Sequence, residues 1–218
     1  EEVTVLPGTY YRDLETETDK LGVMMPCFPA SKSICAVGGM VANNGAGELS
    51  IRYGQNKDWV RSLKVVVEDG KEVEFKPVTK DIVKAKSLQK DLEGEIYRKI
   101  WYLTQRAKTD IDEAKPKTSK NSSGYLIWDV WDEKTQMFDL TKLVVGAQGT
   151  TGIITEITYG LTPKPKTSTM MVSFVKNFEP VPELVEKLLE TNPDTLEVYD
   201  DNTVEIATRF FGDMVAHK

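Results

Sequence analysis

A stretch rich in glycine and other small residues, from Pro26 to Gly54, constrains this chain more than any other feature. Its sequence is PCFPASKSICAVGGMVANNGAGELSIRYG, with five glycines. Small residues let backbone approach another backbone or a ligand closely. Backbone N–H groups in such a turn also suit an anionic oxygen. The glycines alone favour a packing junction without a ligand, so the rest of the chain has to decide.

Composition limits the classes of function. The chain has 218 residues, 40% hydrophobic and 28% charged, which is typical of a soluble globular protein. The net charge of −6 disfavours a nucleic-acid partner. No apolar run approaches the roughly 20 residues that span a bilayer. Two cysteines without a CxxC spacing, Cys27 and Cys35, indicate a reduced, cytoplasmic protein.

The sequence has a single histidine, His217. A Ser-His-Asp or Cys-His mechanism, or a metal site built on histidine, is therefore nearly excluded within these residues. We predict no catalytic residue and no metal ligand in the chain. Because it begins at Glu1 without Met, we also expect a fragment of a longer protein.

Hydrophobic periodicity predicts a mixed α and β chain. Predicted strands cover Val3–Leu6, Leu63–Glu68, Glu72–Phe75, Tyr125–Trp131, Leu140–Val145 and Gly152–Tyr159. Predicted helices cover Tyr10–Leu21, capped by Thr9, and Leu92–Ala107, with a buried helical turn within Ile34–Ala42. Asp69-Gly70 predicts a type I′ hairpin turn, and KPKTSKNSSG (Lys115–Gly124) a loop.

The sequence LTPKPK, from Leu161 to Lys166, is the best candidate for a domain boundary. Beyond it the pattern predicts a β-α-β unit. Its parts are strands over Thr169–Val175, Leu196–Tyr199 and Val204–Arg209, and a helix over Pro182–Leu189 that Asn192-Pro193 ends.

A second glycine-bearing segment, VVGAQGTTGII, runs from Val144 to Ile154. Neither segment is a GxGxxG after a strand or a loop ending in GK[ST], so neither a Rossmann site nor a P-loop is supported. What remains is two loops that could meet around one elongated, partly anionic ligand.

As a set, PGT, PxxPAS, GGMVANNGAG, RYG, KNSSGY and VVGAQGTTGII resemble the FAD-linked oxidase family. This flavoprotein family includes vanillyl-alcohol oxidase, D-lactate dehydrogenase and glycolate-oxidase-like subunits. The resemblance covers Val3 to about Pro163. It implies an α+β fold in which residues 1–163 form the second subdomain of a PCMH-type FAD-binding domain. Residues 164–218 would open an α+β substrate domain, truncated here.

The resemblance places both glycine segments along FAD. The residues it implies at the cofactor are Pro29, Ser31, Gly38, Gly39, Asn44, Gly45, Gly47, Gly149, Gly152, Ile153 and Ile154. Glycine N–H groups suit phosphate, small residues suit a flat ring, and aliphatic residues suit ring packing. The sequence departs from the family pattern at Ala36, Gln148 and Thr151, where a hydroxyl residue, a carboxylate and an apolar residue are usual.

The implied function is part of an FAD-dependent oxidoreductase that oxidises a 2-hydroxy acid or similar alcohol by hydride transfer to flavin. Catalytic residues would lie outside the chain, and the fragment would be inactive and bind FAD weakly or not at all. Arg52 and Tyr125 are the nearest polar candidates, each also explained by a structural role. The alternative is a catalytically inactive binding or scaffold subunit. A reductase of a cell-wall nucleotide-sugar precursor is disfavoured by the β-α-β unit and the RYG and GxxGTxG spacing; the oligomeric state stays open.

Overall fold

A computed structural model of the chain describes residues 1–215. Its strands are β1 (Glu2–Val5), β2 (Val23–Met24), β3 (Val60–Val66), β4 (Glu72–Phe75), β5 (Val78–Thr79), β6 (Trp131–Asp132), β7 (Met137–Phe138), β8 (Ile153–Gly160) and β9 (Thr162–Pro163). Its helices are α1 (Tyr11–Asp19), α2 (Val37–Ala42), α3 (Ser50–Tyr53), α4 (Asn56–Trp59), α5 (Lys80–Ser87), α6 (Leu92–Arg106), α7 (Lys108–Ala114), α8 (Thr141–Val144), α9 (Val181–Leu189) and α10 (Asp201–Val215). A 3-10 turn spans Ile127–Asp129.

The main sheet has four antiparallel strands in the order β1-β8-β3-β4. Strand β8 lies between β1 and β3. Strands from near the start and near the end of residues 1–163 therefore pair in one sheet. Leu63 on β3 pairs with Ile157 on β8, and both side chains are fully buried. Alternate residues of β3 face the core, as expected for a sheet with one covered face.

One hydrophobic cluster joins this sheet to the helices. It includes Tyr11 of α1, Val37 and Val41 of α2, and Tyr97 of α6. The Tyr97 ring lies between two phenylalanines of different sheets, with its centroid 6.4 Å from that of Phe75 and 5.9 Å from that of Phe138. The glycine-rich stretch is therefore attached to the main core through α2.

Two small sheets complete the core. One is β5-β7-β6, and the other pairs β2 with β9, where Met24 faces Thr162. The N–H of Lys164 donates to the carbonyl of Gly22 at 2.9 Å, and its ammonium contacts Asp19 at 2.6 Å. The packed core thus extends to residue 164.

Much of the predicted secondary structure is confirmed. The strands at residues 3–6, 63–68, 72–75 and 152–159 and the helices at residues 10–21, 92–107 and 182–189 all have counterparts within a few residues. The class α+β is confirmed. Thr9, however, makes no side-chain cap on α1, whose N-cap position is occupied by Tyr10.

The hairpin after β3 is real, but its predicted turn type is wrong. The N–H of Gly70 donates to the carbonyl of Val67 at 2.9 Å, and the N–H of Val67 donates to the carbonyl of Lys71 at 3.0 Å. Gly70 has φ +79°, whereas Asp69 has no positive φ. A type I′ turn needs positive φ at both central residues, so this is a type I turn followed by a glycine bulge.

Two predicted strands in the middle of the chain are wrong because a left-handed residue and a local cap override their composition. At residues 125–131 the backbone of Tyr125 is left-handed, with φ +46°, and the chain then forms the 3-10 turn. At residues 140–145 the carboxylate of Asp139 accepts hydrogen bonds from the N–H and the hydroxyl of Thr141, at 2.9 and 2.6 Å. That cap starts the helical turn α8.

The predicted β-α-β unit is also wrong, since the described chain has no strand after β9. Residues 169–175 have no regular secondary structure and are exposed, without a sheet partner among the residues that the structure describes. The predicted strand at residues 204–209 lies within α10, where Asp200 accepts a hydrogen bond from the N–H of Thr203 at 2.7 Å. This N-cap outweighs the β-branched composition.

Candidate functional site

Helix α2 is the centre of the glycine-rich stretch, and other segments use the backbone groups at both of its ends. The N–H groups of Val37 and Gly38 donate to the carbonyls of Thr9 and Pro7, both at 2.9 Å. At the other end, the carbonyls of Val41 and Ala42 accept from the second glycine segment. A short helix held at both ends in this way has a fixed position.

The second glycine segment docks directly on the first. The N–H of Gly146 donates to the carbonyl of Val41 at 2.9 Å, and the N–H of Gln148 donates to that of Ala42 at 3.0 Å. The side-chain amide of Gln148 also donates to Oδ1 of Asn43 at 3.0 Å. Two segments about a hundred residues apart thus form one site.

Several of the predicted cofactor glycines are required by packing. A Cβ on Gly47 would lie 1.8 Å from the carbonyl oxygen of Phe28, and one on Gly38 would lie 2.6 Å from Cβ of Pro7. A Cβ on Gly152 would lie 2.6 Å from Cγ1 of Val65. At these positions backbone approaches other parts of the chain, which confirms the packing interpretation of part of the stretch.

Gly39 and Gly149 behave differently. A Cβ on either would meet no atom within 4 Å, and both residues are exposed. Gly39 lies one helical turn before Asn43, whose side chain accepts a hydrogen bond from Gln148. The hydroxyl groups of Thr150 and Tyr125 are also hydrogen-bonded to each other. We call this continuous exposed surface the glycine face, formed by Gly39, Asn43, Gln148, Gly149, Thr150 and Tyr125. It is where a ligand could reach backbone without displacing the core.

A buried amide network supports the glycine face from behind. Asn44 is fully buried with φ +45°; its side chain donates to the carbonyl of Asn121 at 3.0 Å and accepts from the N–H of Lys57 at 3.0 Å. Gln55 donates to the carbonyl of Asn44 at 3.0 Å and accepts from the N–H of Asn121 at 2.9 Å. The Asn44 side chain is thus committed to holding the loop that contains Asn121.

A second buried amide ties the glycine stretch to the main sheet. The side-chain nitrogen of Asn56 donates to the carbonyls of Gly45, at 2.7 Å, and Cys27, at 3.0 Å. Its oxygen accepts from the Tyr159 hydroxyl on β8 at 2.8 Å. Burial raises the pKa of Tyr159 well above its ordinary value, so the phenol stays a donor. Gly45 is therefore held by an amide network rather than facing solvent.

An ion-pair cluster braces the same loop. The ammonium of Lys57 lies 3.0 Å from the carboxylate of Asp129, and that of Lys115 lies 3.1 Å from it. Burial would raise the pKa of Asp129, but the hydrogen bonds and charges of Lys57 and Lys115 outweigh it and hold that pKa below its ordinary value. The carboxylate is therefore ionised at neutral pH.

The remaining predicted residues lie around this site. Ser31 and Ile153 are exposed, the latter at 70%, whereas Pro29 and Ile154 are half-buried. Pro29 lies beside Gly47, its Cα 3.4 Å from where a Cβ on that glycine would lie. Whether these residues contact a cofactor stays a prediction.

Sequence reasoning missed one wall of the site, the loop from Asn121 to Tyr125. Gly124 packs on Gly146, since a Cβ on Gly124 would lie 2.6 Å from the carbonyl oxygen of Gly146. The motif KNSSGY signalled this loop, but only as part of the resemblance. Its hydrogen-bond partners Asn44 and Gln55 are far away in sequence, and no local pattern indicates them.

The described residues offer little for nucleophilic or metal chemistry. Cys27 is buried with its thiol against the carbonyls of Tyr53 and Gly54, both at 3.3 Å, and burial raises its pKa. Within residues 1–215 no group of three or more His, Cys, Asp or Glu side chains could hold a metal ion. No helix in that range is long and apolar enough to cross a bilayer. His217 lies outside the described residues.

Known proteins with similar sequences indicate the family to which this site is related. Residues 1–76 match the family model described as FAD binding domain. The chain is 27% identical over 171 residues to D-2-hydroxyglutarate dehydrogenase of Pantoea ananatis, covering 78% of the chain and 17% of that protein. It is 26% identical over 203 residues to glycolate oxidase subunit GlcD of Bacillus subtilis, covering 92% and 32%. It is 27% identical over 218 residues to D-lactate dehydrogenase of Anaerostipes hadrus, covering 99% and 35%.

These matches confirm the resemblance to the FAD-linked oxidase family, the PCMH-type α+β fold and FAD as the predicted cofactor. The chain spans only between 17% and 35% of the length of these three relatives. Identity of this order over a part of each relative identifies a shared domain and leaves the activity of the whole protein to proposal.

Proposed function

We propose that this chain, which resembles part of an FAD-linked oxidase, contributes one wall of the FAD site in a flavoprotein that oxidises a 2-hydroxy acid or similar small alcohol. The observation that carries the proposal is the joining of the two glycine segments at α2. The hydrogen bonds from Gly146 and Gln148 to the carbonyls of Val41 and Ala42 create one exposed face from two distant motifs.

The residues of the glycine face fit the demands of FAD. Gly39 and Gly149 leave open space where other residues would place a Cβ, so a flat or extended ligand can approach backbone. Asn43 and Gln148 supply neutral polar groups at the same surface. FAD supplies the acceptor for a hydride; this chain's residues bind and orient it. Gly39 and Gly149 would hold the cofactor, with Asn44 and Gln55 fixing the surrounding backbone.

We further propose that residues 1–163 are the second part of the FAD-binding domain and residues 164–218 the start of a substrate domain. The sheet contacts of β9 and the exposure of residues 165–180 support the boundary. The relatives named D-lactate dehydrogenase and D-2-hydroxyglutarate dehydrogenase support a 2-hydroxy acid as substrate. The two free thiols support a reducing, cytoplasmic location.

The test is made on the natural polypeptide that contains this chain. It is purified without added flavin and its visible absorption spectrum recorded. It is then mixed anaerobically with D-lactate, glycolate or D-2-hydroxyglutarate. The proposal predicts a bound flavin spectrum that is bleached by at least one of these acids and by none of the corresponding 2-oxo acids.

A protein without flavin would instead support the binding or scaffold alternative. A flavin that none of the three acids bleaches would leave the cofactor assignment intact and contradict the substrate class. The described chain has no β-α-β unit, so such a unit does not disfavour a nucleotide-sugar reductase. The RYG and GxxGTxG spacing still disfavours such a reductase.

A further inference from the structure

Tyr125 stands out on the glycine face because its backbone and its side chain are both unusual. Its φ is +46°, in the left-handed region that bulky residues rarely adopt. Its side chain is 51% exposed, so core packing does not account for that conformation. Residues held in such conformations persist only where surrounding structure fixes them, and they cluster at functional sites.

The Tyr125 hydroxyl reaches the second glycine segment. It lies 2.6 Å from Oγ1 of Thr150, and that Oγ1 donates to the carbonyl of Ala147 at 2.6 Å. Because the Thr150 proton is used by Ala147, the tyrosine must be the donor in the first bond. Two consecutive hydrogen bonds therefore run from Tyr125 to Thr150 and from Thr150 to the carbonyl of Ala147. They close the turn that contains Gln148 and Gly149.

Both neighbours of Tyr125 are anchored, which explains how the strained residue is held. On one side, Gly124, whose φ is +81°, packs on the backbone of Gly146. On the other, the N–H of Leu126 donates to the carbonyl of Lys142 at 3.2 Å, and Leu126 is buried. The phenol is therefore aimed at Thr150 by two fixed points of backbone.

Backbone strain is concentrated on and just behind the glycine face. Of the five non-glycine residues with positive φ in the described chain, Tyr125 and Gln148 lie on that face and Asn44 is buried behind it. Asparagine tolerates this region well, whereas tyrosine does so poorly. Of these residues, Tyr125 therefore most needs a stabilising contact to offset the strain of its left-handed backbone.

We propose that Tyr125 and Thr150 form a latch that fixes the turn from Ala147 to Thr150, and that Tyr125 is a positioning residue of the glycine face. The latch acts through its hydroxyl pair, whatever ligand the face binds. The statement that the latched turn meets FAD rests on the proposed function. The two parts can be tested separately in one experiment.

Amide hydrogen exchange of the chain, measured by NMR, reports the latch. The probe is the N–H of Gln148, bonded to the carbonyl of Ala42 at 3.0 Å. Losing a hydrogen bond of ordinary strength should speed its exchange about fivefold in Tyr125→Phe, and at least as much in Thr150→Val, which also loses the bond to the carbonyl of Ala147. The double variant should be no faster than the faster single variant, because both remove the same bond. Thr150→Ser keeps a hydroxyl and should stay within about twofold of the wild type.

Tyr102→Phe is the matched control, since it removes a hydroxyl that bonds to Arg106 at 2.7 Å on the exposed face of α6. Its Gln148 exchange should be unchanged. Unchanged exchange in Tyr125→Phe, additive effects in the double variant, or failure of Thr150→Ser to restore protection would each overturn the latch.

Repeating the measurement with FAD tests the ligand. FAD should slow Gln148 exchange in the wild type and slow it less in Tyr125→Phe. Equal slowing in both would overturn the positioning role. Absence of slowing in the wild type, with the coupling between Tyr125 and Thr150 intact, would count against the flavin proposal and leave the latch standing.

Discussion

At the scale of single residues, the glycines of this chain divide into two kinds that look alike in sequence. Gly47 faces the carbonyl of Phe28 so closely that no side chain fits, whereas Gly39 faces open space on the outside of α2. Both lie within the same small-residue stretch. The first is needed for the fold and the second is free for a ligand.

This difference predicts opposite effects of the same substitution. Gly47→Ala should lower the free energy of unfolding by about 3 kcal/mol, since backbone would have to move. Gly39→Ala should raise it by up to about 1 kcal/mol, because alanine is the better helix former. Chemical denaturation of the two variants measures both effects.

The same pair separates folding from binding. The methyl group of Gly39→Ala would project from the glycine face, so FAD affinity should fall about tenfold although the protein is at least as stable as the wild type. Unchanged affinity in a stable Gly39→Ala protein would remove Gly39 from the cofactor site.

At the scale of elements, the site depends on a loop and a 3-10 turn held by polar contacts. Asp129 of that turn binds Lys57 of α4 and Lys115 of the loop. Its lowered pKa means that its stabilising effect is fully present above its ordinary pKa and is lost as the pH falls through the folded value. The loop should therefore loosen in acid.

Asp129→Asn should lower the free energy of unfolding at pH 7 by about 1.5–3 kcal/mol, the range for a hydrogen bond to a charged group. It should also flatten the decline of stability below about pH 4. Asp110→Asn, at an exposed position in the first turn of α7, is the control and should change both far less. Equal behaviour of the two variants would show that the cluster around Asp129 is not stabilising.

Elements with a strong local pattern could be predicted, and those set by a single cap could not. Strands β3 and β8 alternate or run apolar, and α6 has a clear helical stripe. At residues 140–145 the apolar run suggested a strand, but the Asp139 carboxylate caps a helical turn there. At residues 204–209 the Asp200 cap decided the structure in the same way.

The site shows the same limit. The two glycine segments were visible in the sequence because small residues cluster there, but their joining at one site followed from the resemblance to the FAD-linked oxidase family. The network of Asn44, Gln55 and Asn121 was not, since it joins residues far apart whose polar side chains look ordinary in sequence. The sequence indicates Tyr125 only as a polar candidate that a structural role also explains, and its left-handed backbone is visible only in the folded structure.

At the scale of the whole molecule, a packed core ends at Lys164 and a sparsely packed segment follows. Apolar side chains of that segment are exposed, among them Phe174 at 95% and Phe210 at 67%. The Arg52 guanidinium binds Asp194, one contact between the core and the region around α9. An exposed ion pair of this kind adds little to stability, because solvent screens it.

A chain truncated after residue 166 should therefore unfold cooperatively, with a free energy of unfolding within about 1 kcal/mol of that of the 218-residue chain. Truncation after residue 160 is the matched comparison. It removes β9 and the Lys164 contacts, and should lower the stability clearly. Loss of cooperative unfolding in the chain truncated after residue 166 would contradict the proposed boundary at residues 163 and 164.

An NMR titration of the chain with FAD tests most directly whether the glycine face binds FAD, because it detects weak binding. We predict that shifts of the backbone amides of Gly39, Asn43, Gln148 and Gly149 change progressively, while those of α6, which contributes no residue to the glycine face, do not. Unchanged shifts at these four amides up to millimolar FAD, or changes confined to another surface, would contradict the account.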